Sequence, residues 1–511
     1  MFSHRWTRRI AIALIAGFGL VVAGTFYFRH TTRQAGEERL AAVIAELDAT
    51  DPRWRLDDIE ADRGYVPDDQ NSALLVPKFQ AALTAKDFVV TRPGVTREGV
   101  FENLPPNRAL DDQGATAIDH AMEGNDAALA IARSFKDYPR GLRRYSYTPD
   151  FIGTKLPGLQ ETRQIVAMLD VEAERLSRDG RPGAALELVR AMLNAARSIE
   201  GEPFLISCLV RTACDSLAVR RVERTLGLSV LKGGLNEVQT ALLREADADL
   251  FWTGLRGERA GMDMLMTNLR TGRLSVSTYR SLASGAGGPA PPVRVRIGDW
   301  VREPHVSGDQ ATYLETITRA REVRHLPEHQ QRAALKVIPV PPDEVGTALT
   351  RLLLPNLAKL HDPSLRTKAH LRCVAVGLAI EQFRQIRGRW PESLEELPRG
   401  LLPAVPLDPF DGKPLKYARR ADGVTIYSIG LDEQDNGGNI VDGPRWTPDP
   451  RGEDIGFRLY NPDFRALPPL PRPSPGGAID VRPGRGLLDD DSRPGPLPYP
   501  REVGTASARK R

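Results

Sequence analysis

The sequence predicts a mainly α chain: an N-terminal transmembrane helix, an irregular helical domain and a small C-terminal α+β module. Three observations lead there. Ile10 to Phe28 is an uncharged apolar run. Apolar stripes at helical spacing follow one another from Leu159 to Arg270. After Leu415 the period changes from helical to alternating, as in short strands.

The N-terminal run reads IAIALIAGFGLVVAGTFYF. At 1.5 Å per residue it makes a helix about 28 Å long, close to the hydrocarbon thickness of a bilayer. Trp6 and Tyr27 stand at its two ends, where interfacial aromatics collect. Arg5, Arg8 and Arg9 precede it and Arg29, Arg33 and Arg39 follow, with Glu37 and Glu38 diluting the second group. The short basic N-terminus points to a signal anchor with residues 1–9 inside and the bulk of the chain extracytoplasmic, at the inner (cytoplasmic) membrane. The alternative is a cleaved signal peptide, with Val21 and Ala23 marking a site; the apolar run continues past that site to Phe28.

Beyond the membrane the chain divides into a membrane-proximal region (29–150), a helical domain (151–280), a flexible loop (281–296), a helical continuation (297–363), an α+β module (364–464) and a proline-rich tail (465–511). A helical neck spans Ala35 to Leu47, and Ser72 to Ala85 forms a further helix. In the helical domain, Ile165, Leu169, Ala173 and Leu176 form one stripe and Leu186, Val189, Leu193 and Ala196 the next. Asp179-Gly-Arg-Pro182 turns the chain between them. FLISCLVRTACDSLAV, starting at Phe204, reads as a central buried helix, and Leu235 to Leu250 carry a fourth stripe. No repeat period is sustained, so an irregular domain is expected rather than a helical array. SLASGAGGPAPP (Ser281 to Pro292) has nothing to bury. Helices resume over Gln310 to Ile338 and Val345 to Leu360. From Arg465 onward ten prolines and few apolar residues predict disorder.

Composition excludes little else. A net charge of +4 over 511 residues gives no basis for a nucleic-acid partner. Three cysteines, Cys208, Cys214 and Cys373, are an odd count that argues against a disulfide framework and for free thiols.

The C-terminal module starts with an amphipathic helix from Lys368 to Ile386, stopped at Gly388. Trp390 to Leu394 predicts a short second helix. Leu415 to Tyr417 and Val424 to Ile429 predict two hairpin strands turning at Ala421-Asp422-Gly423. The order Gly388-Arg-Trp-Pro391, Asp408-Pro-Phe410, Gly412, Pro414, Tyr417, Tyr427-Ser-Ile-Gly430 and the acidic Asp432 to Gly438 loop resembles the soluble part of type II secretion major pseudopilins. The resemblance covers about a fifth of the chain. The whole layout also resembles uncharacterised single-pass membrane proteins of planctomycete bacteria, which carry a DPxWRL-type segment (Asp51 to Leu56) and a Gly-Glu-Arg-Ala stretch (Gly257 to Ala260). One feature departs from pseudopilins. Gly17-Phe18 lies mid-helix with no glutamate after it, so there is no prepilin peptidase site.

The pseudopilin resemblance implies calcium in the acidic loop, with Asp432, Asp435 and Asp454, and Asp442 as a further donor. The alternative is a solvated acidic turn held by Gly437-Gly438. His325-Leu-Pro-Glu-His329 lacks the order of a metallopeptidase helix, and Pro327 breaks the turn between the imidazoles. Ser229-Val-Leu-Lys232 has no partner motif. His361 and His370 read as capping or surface residues. No catalytic motif emerges. The leading expectation is an extracytoplasmic interaction or scaffold protein, held in the lipid bilayer through residues 10–28 and facing an unidentified envelope protein. The alternative is an envelope hydrolase with its site in the helical domain.

Overall fold

α1 (His4–Thr50) is one helix of 47 residues, about 70 Å long at 1.5 Å per residue. The computed structural model describes residues 4–84, 104–231, 233–274, 303–440 and 454–469. The apolar run and the neck that the sequence separates are thus a single element. Only Arg-His-Thr-Thr-Arg-Gln lies between them, with no proline or glycine to interrupt the hydrogen-bond ladder. The apolar part is exposed along its length, and this helix is long and apolar enough to cross a membrane. From Gly36 onward one face is covered, with Leu40, Val43 and Leu47 buried.

The body is built from α2 (Leu56–Asp62), α3 (Leu75–Ala82), α4 (Asp112–Met122), α5 (Asp126–Ser134), α6 (Leu159–Arg178), α7 (Pro182–Ala196), α8 (Leu205–Leu228), α9 (Asn236–Ala246), α10 (Leu250–Arg270), α11 (Val306–Glu322), α12 (Glu328–Lys336), α13 (Ala348–Leu353) and α14 (Leu357–Arg387). A three-stranded antiparallel sheet follows: β1 (Lys416–Arg420), β2 (Gly423–Ser428) and β3 (Ile455–Tyr460), in that order. Tyr417 stands opposite Ile426, and Ile426 opposite Phe457.

Two cores organise these elements. One joins α3 to α9 with the later turns of α14 and the inner face of the sheet. The other joins α1, α2, α10, α11 and the start of α14. α8 and α14 contribute to both, so the C-terminal unit shares a core with the helical domain. Gly377 of α14 makes this possible on the sheet side: a Cβ there would stand 2.3 Å from the Phe457 ring. The helix expected at Phe204 is central, as α8, but it is not apolar all round. Arg211, Asp215, Arg221 and Arg224 are buried on it. Arg221 meets Asp170 at 2.7 Å and Glu174 at 2.5 Å, and Arg224 meets Glu174 at 2.6 Å, so these two arginines enter the interior paired.

Several boundaries differ from expectation. α14 begins at Leu357, so residue 364 falls inside a helix. Pro363 lies within it, and burial of Leu357, Ala358 and His361 on one side and Leu365 on the other outweighs the break signal. Gly388 caps the helix in the left-handed region, φ 71°, as expected. Trp390 to Leu394 yields only a 3-10 turn at Leu394–Glu396. β3 escapes sequence reading because Gly456 and Arg458 weaken its alternation. The tail boundary also moves. Arg465 is buried against Glu381 at 2.9 Å, and the Ala466 and Leu467 amides bond to the Gly227 and Asn107 carbonyls. The remainder of the tail and the loop at 281–296 lie outside the described residues.

Candidate functional site

The two stretches of the planctomycete resemblance meet in space. Asp51, directly after α1, accepts a 2.7 Å hydrogen bond from Arg321 of α11 and another from Arg259 of α10. Trp54 is wholly buried, with the Arg259 guanidinium 5.6 Å from its ring centre. Its indole donates to Asp48 at 2.8 Å, and Arg55 grips the same carboxylate. Burial works against the Asp51 charge, but the two arginines outweigh it and hold its pKa at about 2. Gly257 and Glu258 press α10 onto the start of α8, where the Glu258 carboxylate accepts from the Leu205 amide at 3.2 Å. With no cation beside it, burial pushes the Glu258 pKa up to about 7. This constellation fixes the end of α1 to the body.

A cavity of about 270 Å³ opens where the starts of α10 and α12 meet α14. Asp249, Trp252, Glu328, Gln331, His361 and Lys368 are among its lining residues. The His361 ring is packed against Phe251 (centroids 4.6 Å apart) and Trp252 (5.2 Å). Burial, with the Lys368 charge, lowers its pKa to about 3, so the imidazole is neutral. The tautomer follows from Gln331. Its Nε2 donates to the Leu326 carbonyl at 2.9 Å and the Arg324 carbonyl at 3.3 Å, which turns Oε1 toward His361 Nε2 at 3.2 Å. Nε2 therefore carries the proton, and Nδ1 is a buried acceptor with no donor among the described residues. Beside it, Lys368 and Arg372 grip Glu328 at 2.8 and 2.6 Å; they hold its pKa below the usual range although burial opposes them.

Such a site suits a small group that brings an O–H or N–H donor and an apolar face. Among the described residues no hydrogen bond joins the nearby Ser364 to His361, so no nucleophile–base pair forms here. The sequence reads His361 and His370 as capping or surface residues, and the structure corrects this: both lie within α14. His361 is buried and His370 half-buried, because helix α14 runs unbroken through both positions; burial lowers His370 to about 3 as well.

The acidic loop closes on itself. Asp454 accepts from the Gly438 amide at 2.6 Å and the Asn436 amide at 3.2 Å, one on each oxygen. Asp435 accepts from the Gly437 amide at 2.9 Å and the Tyr427 hydroxyl at 3.1 Å, and Lys416 lies 3.3 Å from its other oxygen. Asp432 accepts from the Gln434 amide and from the Asn436 side chain. The Gly437 amide and Lys416 hold Asp435 below its usual pKa, while burial raises Asp454. Calcium takes six or more oxygens. Here the oxygens face N–H groups and an ammonium, and among the described residues no three His, Cys, Asp or Glu side chains converge. As placed, the three carboxylates are engaged by donors of their own loop, by Tyr427 and by Lys416; Asp442 lies outside the described residues.

His325 and His329 sit exposed around the start of α12, and Ser229 caps the end of α8 in extended conformation. The three thiols are free and buried. No family model matches this chain, and no curated protein or solved structure matches it either.

Proposed function

We propose that this chain is a membrane-anchored extracytoplasmic interaction protein whose body recognises its partner through the His361 cavity. The observation that carries the reading is the continuity of α1. One helix supplies an exposed apolar stretch sufficient to cross a bilayer and then a face buried in the body. An apolar surface of that extent is costly in water, and a bilayer satisfies it. The anchor cannot swivel relative to the body, because Arg259 and Arg321 grip its end at Asp51. A body mounted this way presents a fixed surface at a fixed height, which suits a scaffold or docking role. The long α14 backing an antiparallel sheet is also the arrangement that the pseudopilin resemblance leads one to expect, and it is consistent with a role in secretion or envelope organisation.

The test is affinity capture of the full chain from detergent-solubilised membranes, wild type beside Ser364→Trp, which fills the cavity. Co-purification of an envelope protein that drops with the filled cavity supports the reading. Recovery of the chain alone with both baits contradicts it.

A further inference from the structure

α11 runs alongside α1 in the same direction. Glu303, just before α11, pairs with Arg29 and Arg33, both at 2.7 Å. One turn later Gly308 meets Gly36 so closely that a Cβ on Gly36 would stand 2.8 Å from the Gly308 amide nitrogen. Further along, Arg39 bonds to Thr312 at 3.1 Å and Glu315 at 2.6 Å. The contacts ascend together, so position along α1 gives height along α11. The apolar run ends at Phe28. Glu303 and His305 therefore lie at the level of Arg29 to Arg33, within about 8 Å of the hydrocarbon edge at 1.5 Å per residue. That is the depth of the headgroup layer, roughly 5–8 Å thick on each side.

A second segment is fastened at this level through Gly346, and about one turn further from the hydrocarbon edge through Asp309. Gly346 lies against His305, where an added Cβ would stand 3.6 Å from Nδ1. Asp309, in the first turn of α11, caps the start of α13 by accepting from the Leu349 amide at 2.7 Å and the Thr350 amide at 2.9 Å. Arg351 bonds to the Pro341 carbonyl at 3.0 Å, which folds residues 340–342 back onto α13. The inward side chains Leu349 and Thr350 are buried, yet Val340 is 74% exposed, Leu352 59% and Val345 47%. Val345, next to Gly346, is thus exposed at the height where a bilayer crossed by α1 would present its headgroups, and Val340 and Leu352 are exposed on the same short segment.

We infer that the segment from Val340 to Leu352 is a second, monotopic contact with the lipid surface, seated in the headgroup layer of the membrane that α1 crosses. The occupant is lipid because the anchor itself brings the bilayer to this height. Interfacial segments mix aliphatic and charged side chains, and Asp343, Glu344 and Arg351 accompany the three aliphatic residues here. Two attachments, one spanning and one lying on the surface, set the tilt of the body as a single helix does not. The inference rests on the membrane reading of α1, and the test separates the two.

The native thiols are buried, so a thiol-reactive nitrobenzoxadiazole dye reports on an introduced cysteine. Full-length Val345→Cys, Leu352→Cys, Phe18→Cys and Glu187→Cys proteins are labelled and placed in phosphatidylcholine vesicles with a nitroxide either on the headgroup or deep on the acyl chain. The headgroup nitroxide is expected to cut emission at 345 and 352 to roughly half, the deep nitroxide to quench at 18, and neither to quench at 187. Quenching at 18 with none at 345 or 352 overturns this inference and leaves the anchor intact. No quenching at 18 overturns the anchor reading and this inference with it. Glu187→Cys is exposed on α7, and its spectrum in detergent checks that labelling leaves the body folded.

Discussion

Asp51 and Arg259 are ion-paired although 208 positions separate them in the chain. Asp51 directly follows α1 and Arg259 is 1% exposed in the middle of α10, so the pair joins the long N-terminal helix to the second core. Removing Arg259 leaves the half-buried Asp51 with Arg321 as its remaining partner at 2.7 Å. Arg259→Met is therefore expected to destabilise the full chain in detergent by about 1.5 kcal/mol in denaturant unfolding, the loss of one hydrogen bond to a charged group. Arg190→Ala, which breaks an exposed pair with Glu237, is expected to cost about 0.5 kcal/mol or less. Equal effects of the two would remove the pair's special role.

Glu258 makes stability depend on pH. Its folded pKa of about 7 lies above the ordinary 4.5 because burial disfavours the anion. A raised acid contributes stability that is present below the unfolded pKa and lost as pH rises through the folded value. The loss accumulates between pH 4.5 and about 7, and is on the order of 3 kcal/mol. Glu258→Gln keeps a group that accepts from the Leu205 amide and has no charge to bury. Its unfolding free energy is expected to be flatter than wild type across that window and higher at pH 8. Parallel pH profiles for the two proteins would show that Glu258 does not titrate in this range.

How much of this was legible in the sequence follows the range of the interactions. The apolar anchor, the stripes of α6, α7 and α9 and the Gly388 stop are local patterns, and each appears where its period or its glycine puts it. The first turns of α14 are not legible because Pro363 is a local break signal that competes with long-range burial of its neighbours, which one sequence does not display. The His361 cavity was missed for the same reason: its walls come from residues 249–252, 324–331 and 361–368. A neighbouring Trp-His contact leaves no spacing signal. Glu258 and Asp51 were noted as parts of short stretches, but nothing in their spacing says that one stretch meets the other.

The ordered end of the chain gives a third prediction. Arg465 donates to both oxygens of Glu381, at 3.2 and 2.9 Å, and to the Ser229 and Tyr460 carbonyls at 2.8 Å. A chain ending at Phe464 is expected to be less stable than one ending at Pro469 by about 3 kcal/mol, the cost of leaving Glu381 short of a buried partner. Arg465→Ala in the full chain is expected to reproduce most of that loss. Melting temperatures that agree among all three would show that the docked end contributes nothing.

The acidic loop gives a fourth. Its carboxylates are engaged by their own amides, Tyr427 and Lys416, so the full chain is expected to melt at the same temperature in millimolar calcium and in chelator. Asp454→Asn is expected to lower the melting point in both, since it weakens the bonds to Gly438 and Asn436. A calcium-dependent rise that vanishes in Asp432→Ala with Asp435→Ala would instead establish a metal site there.

The account rests most heavily on a body that stands outside the membrane on an uncleaved anchor. Glu187 is exposed on α7 and the native thiols are buried, so Glu187→Cys offers a single reactive site in a protein made in a bacterial inner membrane. Spheroplasts are treated with a membrane-impermeant maleimide before and after lysis. Full labelling is expected before lysis, on a protein of full-length mass that stays with the membrane at alkaline pH. Labelling only after lysis, or a mature chain beginning near Gly24, would contradict it.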